Sequence, residues 1–353
     1  CDFAAMKEKS GFNVHCISGK ASVGQGKTLV EDLHIIDDYS DIRLAHYKMS
    51  YRWGGDFAQF ISKVLIDAKL RRSSVAMKSI SYFSKGVFDH SPSVFDIRKG
   101  SFRGYVNDFT VTGIDFSDKG TGVSGKVQTC TLTGIPDIAD SYLSTKIGNL
   151  SFTTRGLSRL LSGLSPAKLD FSSLTPGERY SAEVEVEGPF KRLSANLRLS
   201  SKNGGVYLDG MLRNLMTSRP LEMDLRASTS KFDIGSLLST DKLGQCSMMT
   251  AARIKLNPGN PEIHVDTIHV ASLNALGYNY SGIHGNGSLR NHTLAASLNA
   301  DDPNLKFSLS GLTDLQTVDG YRRYKLVGSF PTINLSELNL DKRGASSRAS
   351  LGL

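Results

Sequence analysis

The stretch Ala21-Ser-Val-Gly-Gln-Gly-Lys-Thr28 sets Gly26, Lys27 and Thr28 in the order that closes a phosphate loop. In such a loop, backbone N–H groups and a lysine cradle the phosphates of a nucleotide. It works only between a strand and a helix, because the helix N-terminus supplies part of the positive field. The residues that follow, Leu29-Val-Glu-Asp-Leu-His-Ile-Ile36, place Leu33 and Ile35 on either side of His34, which is a strand pattern. No later segment offers the acidic residue, at the end of an apolar strand, that would complete a magnesium site. The stretch therefore reads as a glycine-rich hairpin turn, and a nucleotide hydrolase would require binding that is lost in Lys27→Ala.

The other reactive side chains form no better constellation. Of the eight histidines, His264 and His269 fall in neighbouring strand segments, and His284 and His292 flank a Gly-Asn-Gly run. No carboxylate or second histidine stands at a sequence spacing that fixes a metal. Asp37-Asp38 and Asp301-Asp302 sit where turn chemistry explains them, and Asp301-Asp302-Pro303 lacks the regular oxygen series of a calcium loop. The four cysteines, Cys1, Cys16, Cys130 and Cys246, are too far apart for zinc spacing and read as free thiols. The expectation is a protein that is not an enzyme, with no cofactor and no metal.

The elements behind these residues are strands. Apolar side chains alternate with polar ones in Ala182-Glu-Val-Glu-Val-Glu187, Ala195-Asn-Leu-Arg-Leu199, Leu221-Glu-Met-Asp-Leu-Arg-Ala227 and Ile263-His-Val265. That is the period of an antiparallel sheet with one solvated face. The phase slips between Ile263/Val265 and Ile268/Val270, which predicts a bulge or turn near Asp266. Leu197 to Asn214 reads as strand, Asn-Gly turn, strand, then Gly before an apolar pair. Leu294 to Leu312 repeats the plan around Asp301-Asp-Pro-Asn304, and Ile114 to Val127 is an earlier relative. Two copies of Gly-x-Leu-Arg-Asn, at 210–214 and 287–291, add to a picture of hairpins laid down in series. Short helices are expected over Asp56–Lys63, Gly156–Leu164, Phe232–Leu238 and Asn334–Asn339, as caps on a sheet. Turn formers in 162–170 and 175–177 suggest two segments, 1–165 and 166–353, of one continuous elongated array.

The net charge of +8 favours anionic membrane surfaces, but Lys and Arg are scattered, so no nucleic-acid partner is expected. No run approaches the ~18 consecutive apolar residues of a spanning helix, and no cleavable signal is visible. A start at Cys1 fits a mature lipoprotein and a truncation alike.

The run from Tyr278 to Phe307, followed by Ser308-Leu-Ser-Gly-Leu312, resembles the AsmA-like, TamB-type proteins of Bacteroidota. So do Ser40 to Tyr51, Gly134-Ile-Pro-Asp-Ile138 with Leu150 to Thr154, Phe232 to Leu238, and Leu335-Ser-Glu-Leu-Asn-Leu-Asp-Lys-Arg343, so that the resemblance covers most of residues 28 to 343 and the order of the motifs is its stronger part. The resemblance implies an all-β fold, an elongated, curved antiparallel sheet of serial hairpins folded into an apolar groove, a β-taco, with a few short capping helices. It implies a periplasmic protein anchored in the inner membrane by a segment before residue 1, with the family's C-terminal domain after residue 353. It further implies outer-membrane maintenance as the setting.

Moving a phospholipid through water exposes acyl chains at ~0.8 kcal/mol per CH₂, on the order of 20 kcal/mol for two chains. An apolar trough removes most of that cost without chemistry. Candidate lining residues are Val184, Val186, Ala195, Leu197, Leu199, Val206, Leu208, Leu221, Met223, Leu225, Leu294, Leu298, Leu305, Phe307 and Leu309. An ordinary closed core would use the same residues. The leading expectation is phospholipid transport between the membranes. The alternative is a scaffold or chaperone for outer-membrane β-barrel proteins, with a barrel-assembly partner taken up by strand addition.

Overall fold

A computed structural model describes residues 6–7, 12–82, 88–164, 178–202, 204–238, 240–257, 259–316, 323–341 and 348–352. The chain is all-β, with antiparallel pairing throughout and a few short helices. It divides into two compact units, residues 1–195 with 214–218, and residues 196–213 with 219–353. Residues 165–177, where the sequence suggests a boundary, lie outside the described residues.

In the first unit the strands are β1 (Met6–Lys7), β2 (Asn13–Gly24), β3 (Lys27–Asp37), β4 (Asp41–Ser50), β5 (Leu65–Leu70), β6 (Ser73–Ala76), β7 (Val94–Tyr105), β8 (Asp108–Asp118), β9 (Val123–Thr133), β10 (Tyr142–Thr153) and β11 (Arg179–Pro189). Each pairs with the next, except that β5 and β6 both lie between β4 and β7. The phosphate-loop stretch is a two-residue hairpin: Gly24 pairs with Lys27, and Gly26 takes φ +68, a turn conformation glycine adopts without strain. Helices α1 (Phe60–Lys63), α2 (Met77–Ser81) and α3 (Thr154–Leu164) interrupt the strands. The first and third fall where the sequence predicts helix. The second was not expected, being a single turn without helical periodicity. The core of this unit is Leu33, Leu44, Ile66 and Ala68, with Tyr47, Phe60 and Phe102 among the side chains against it.

Strand β12 (Arg192–Ser201) is followed in the second unit by β13 (Gly204–Arg213), β14 (Leu221–Asp233), β15 (Leu243–Leu256), β16 (Glu262–Ala275), β17 (Tyr278–Arg290), β18 (Thr293–Asp302), β19 (Leu305–Asp314), β20 (Tyr324–Asn334) and β21 (Arg348–Gly352). From β13 to β21 each strand pairs with its successor. The bulge expected at Asp266 is present: the β16–β17 register jumps from Val265/Gly287 to Ile268/Gly285. Gly210 and Gly311 lie inside strands rather than after them. Helix α4 (Ile234–Leu238) covers the end of the predicted 232–238 segment. The predicted helix at 334–339 is a run of turns, with Leu338 N–H bonded to the Asn334 carbonyl at 3.0 Å and Asn339 N–H to Ser336 at 3.2 Å. The Leu335 carbonyl accepts instead from Leu340 and Asp341 N–H, and Asn334 N–H goes to the Asn304 carbonyl of another turn, so the segment closes on itself and on its neighbour rather than propagating a helix.

A cross-strand device recurs in the second unit, where a leucine leans over a glycine on the neighbouring strand. A Cβ added at Gly285 would stand 2.1 Å from the Ser297 carbonyl oxygen and 2.8 Å from Leu298 Cδ2, and one at Gly311 would stand 2.6 Å from Leu326 Cδ2. Gly285→Val is therefore expected to lower the unfolding free energy by about 1–3 kcal/mol. Gly54→Ala, with no atom within 4 Å, should be close to neutral in the same denaturant titration.

Candidate functional site

Because register partners share a face, the ladders sort the side chains of the second unit without ambiguity. One row crosses Leu212, Met223, Ile254, Ile263, Leu289 and Leu294. The next crosses Gly210, Leu225, Ala252, Val265, Gly287, Ala296, Gly311 and Leu326. A third crosses Leu208, Ala227, Thr250, Ile268, Gly285, Leu298 and Leu309, and a fourth runs from Val206 through Thr229, Met248, Val270, Ile283 and Ala300 to Phe307. The Phe307 ring meets Phe330 of β20 at 5.6 Å. One face from β13 to β20 is thus almost wholly apolar, with the small residues in the middle rows.

The predicted lining residues of β13, β14, β18 and β19 all belong to this face. Leu197 and Leu199 of β12 join it by alternation, since Asn196 accepts a hydrogen bond from Tyr207 and donates one to Asp209, which lie on the opposite face of β13. Val184 and Val186 lie in the first unit, opposite Ile147 and Thr145 of β10. Ala195, also assigned to that unit, is half-buried. Most of these side chains are half-buried, whereas Leu221 is 2% exposed and is therefore sealed, and Leu294 is 39% exposed. A face covered by a second sheet would show them all closed off.

The two ends of the face differ. At one end Val270, Ala300, Phe232 and Cys246 are buried, α4 packs on β15, and the turn after β20 bridges two hairpins. In that turn Asn334 N–H donates to the Asn304 carbonyl at 2.9 Å, Asn339 Nδ2 lies 3.5 Å from the Leu276 carbonyl oxygen, and Leu338 is fully buried. A buried carboxylate, Asp302, completes the seal. It accepts from Tyr278 Oη at 2.7 Å, from Ser281 N and Oγ at 2.9 Å, and from Asn304 N at 2.9 Å. Burial pushes its pKa up, but the hydrogen bonds from Tyr278, Asn304 and Ser281 outweigh that and hold it below the usual carboxylate value. Asp302 does serve the turn expected at 301–304, through Asn304 N, and is in addition buried and aimed inward, which the turn chemistry alone does not signal.

Behind the other end, on the opposite face, an open cavity of about 540 Å³ is lined mainly by charged residues, with Met223, Ile254, Ile263 and Leu289 as the row between them. Among these, Arg213 pairs with Asp224 at 2.7 Å and Arg290 with Glu262 at 3.9 Å, while Lys255 stands across the ladder from Glu222 and Glu262. Arg253, also in the lining, reaches Asp266 at 2.6 Å. Arg213, Glu222, Asp224, Arg253, Lys255, Glu262 and Arg290 are one residue out of step with the apolar row, so their side chains lie on the opposite face of the sheet as a surface carrying both signs.

The first unit closes one end with the same chemistry. Asp37, 6% exposed, accepts from Tyr39 N, Ser40 N and Ser79 Oγ, the last on α2. Ser79 in turn accepts from Ser40 Oγ at 2.7 Å, so these serines tie a helix to a turn. Asp118, 2% exposed, accepts from Gly120 N and Thr121 Oγ. Helix α3 sits on that turn so closely that a Cβ on Gly156 would stand 2.2 Å from the Thr121 carbonyl oxygen. It caps a strand end, with Leu160 buried and Leu157, Leu161 and Leu164 half-buried.

Comparison of the chain with protein-family models, with curated proteins and with solved structures returns no match. The geometry of this face is a contiguous apolar surface, most of whose side chains are half-open to solvent.

A carboxylate whose folded pKa lies below its unfolded value stabilises the protein above the unfolded pKa, and that contribution is lost as pH falls through the folded pKa. Asp302→Ala should therefore be less stable than wild type at pH 7, and the gap should narrow below about pH 4. Urea titrations of both proteins across pH 3–7 read this directly.

Proposed function

We propose that the half-open apolar face of the second unit shields the acyl chains of a phospholipid. In this reading the chain is a segment of an AsmA-like, TamB-type periplasmic protein that carries lipid between the inner and outer membranes and is anchored to the inner membrane. The observation that carries the reading is the face itself: apolar from β13 to β20, half-exposed through its middle rows, and stopped at one end. Contiguous apolar surface of this kind marks a binding surface in a soluble domain. The segment acts by binding, without bond making.

A second reading, strand addition by an outer-membrane β-barrel protein, draws on the edge at β20. Tyr324 to Gly328 pair with β19, and among the described residues β21 pairs with the Ser329–Asn334 part of β20. Tyr324, Leu326 and Val327 are 72%, 47% and 56% exposed there. Open edges with apolar side chains accept an added strand.

Mass spectrometry of organic extracts from the purified protein tests the first reading. Near-stoichiometric phospholipid is expected, lost in Met223→Glu/Leu298→Glu/Leu326→Glu once circular dichroism shows that variant folded. Folded wild type that stays lipid-free after incubation with liposomes would overturn it. Saturable binding of an unfolded barrel protein, abolished by Val327→Pro, would then favour the edge.

A further inference from the structure

On the charged face of the second unit two histidines stand directly opposite each other. His269 of β16 is the register partner of His284 of β17, and Met249 of β15 is the partner of His269 on its other side. The pairing is regular here, from Met248/Val270 to Ala251/Thr267 and from Ile268/Gly285 to Val270/Ile283, so no bulge turns these side chains apart. Their neighbours Met248, Val270 and Ile283 go to the apolar face, which puts Met249, His269 and His284 together on the other. Partners across a ladder have Cβ atoms ~4.5–5.5 Å apart. Two imidazoles and a thioether can therefore converge on one ion above the middle strand.

Neither packing nor solvation accounts for the row. Met249 is 59% exposed, although Met223 and Met248 are placed with the apolar residues. His269 has no hydrogen-bond or charge partner among the described residues. His284 Nδ1 lies 3.3 Å from the Gly282 carbonyl oxygen. As an Nδ1–H donor in that contact, the ring carries its lone pair on Nε2, which is how a ligating histidine is oriented by the group behind it. Asp301 acts electrostatically on His284 and is held by Lys306 at 2.7 Å, so it contributes negative field without being free to ligate. Among the described residues no three His, Cys, Asp or Glu side chains form a metal cluster. A third donor at this row has to be the methionine sulfur.

We propose that Met249, His269 and His284 bind a copper ion as Cu(I). Imidazole suits zinc, copper, iron and nickel, whereas a thioether selects the soft cuprous ion, and copper is what the two preferences share. The site is independent of the lipid reading, since it lies on the opposite face of the sheet.

The test is competition for Cu(I) against a chromogenic cuprous chelator under anaerobic conditions, with Zn(II) titrated in parallel. One Cu(I) per chain is expected. His269→Ala, His284→Ala and Met249→Leu should each weaken it by about tenfold or more, and His264→Ala on the same face should not. All four side chains are exposed, and circular dichroism checks that each variant folds. On the wild type alone, X-ray absorption of the Cu(I) complex should show nitrogen and sulfur scatterers together. Unchanged affinity in both His269→Ala and His284→Ala, absence of sulfur in the spectrum, or tighter binding of Zn(II) than Cu(I) would overturn the assignment.

Discussion

The second unit rests on the antiparallel hydrogen-bond ladder rather than on an enclosed core. Few apolar side chains on its inner face are buried, so burial does less here than in a sandwich of equal length, and the register between neighbouring strands has to be held by the backbone and by pairs across it. The leucine-over-glycine contacts meet that need. Each fills the space a Cβ would occupy on the next strand, and a slip of one residue would turn every leucine to the charged side. Specification of register and openness of the face are thus one constraint seen twice.

The ends carry the rest of the specification. Asp37, Asp118 and Asp302 each turn inward at the end of a strand and take up N–H groups of the following turn. In each case a carboxylate buried with several donors replaces water that an open strand end would admit. Helices α2 and α3 and the turn holding Leu338 rest on the same ends of their units. The opposite end of the second unit keeps its charges in solvent-accessible pairs, which individually add little stability.

Much of this was legible in the sequence. Strict alternation in Leu221 to Ala227 and Leu305 to Leu309 placed the lining residues on one side because the strand period is 2, and the phase slip located the bulge at Asp266. The hairpin at Gly26 followed from what comes after it. Other features depend on register, which alternation in one strand does not supply. Met249, His269 and His284 lie far apart along the chain, and nothing in their spacing shows that they form a row. The inward aim of Asp302 is hidden for a related reason, since Asp-Asp-Pro-Asn is also what an exposed turn looks like. Asn334 to Asn339 has leucines at helical intervals, but they close a strand end instead.

The contrast between the two ends has a geometric consequence for anything held on the face. From Leu212 to Val206 the apolar rows extend six residues along β13, about 20 Å at the rise of a strand, against about 15 Å for one leaflet of hydrocarbon. On the lipid reading proposed above, an acyl chain of that length would lie parallel to the strands, with its tail towards Phe307 and Asp302. Travel would then be sideways, in steps of about 4.8 Å from one strand to the next. The sheet would act less as a pipe than as a rail, along which the cargo keeps its orientation while its polar end stays in water.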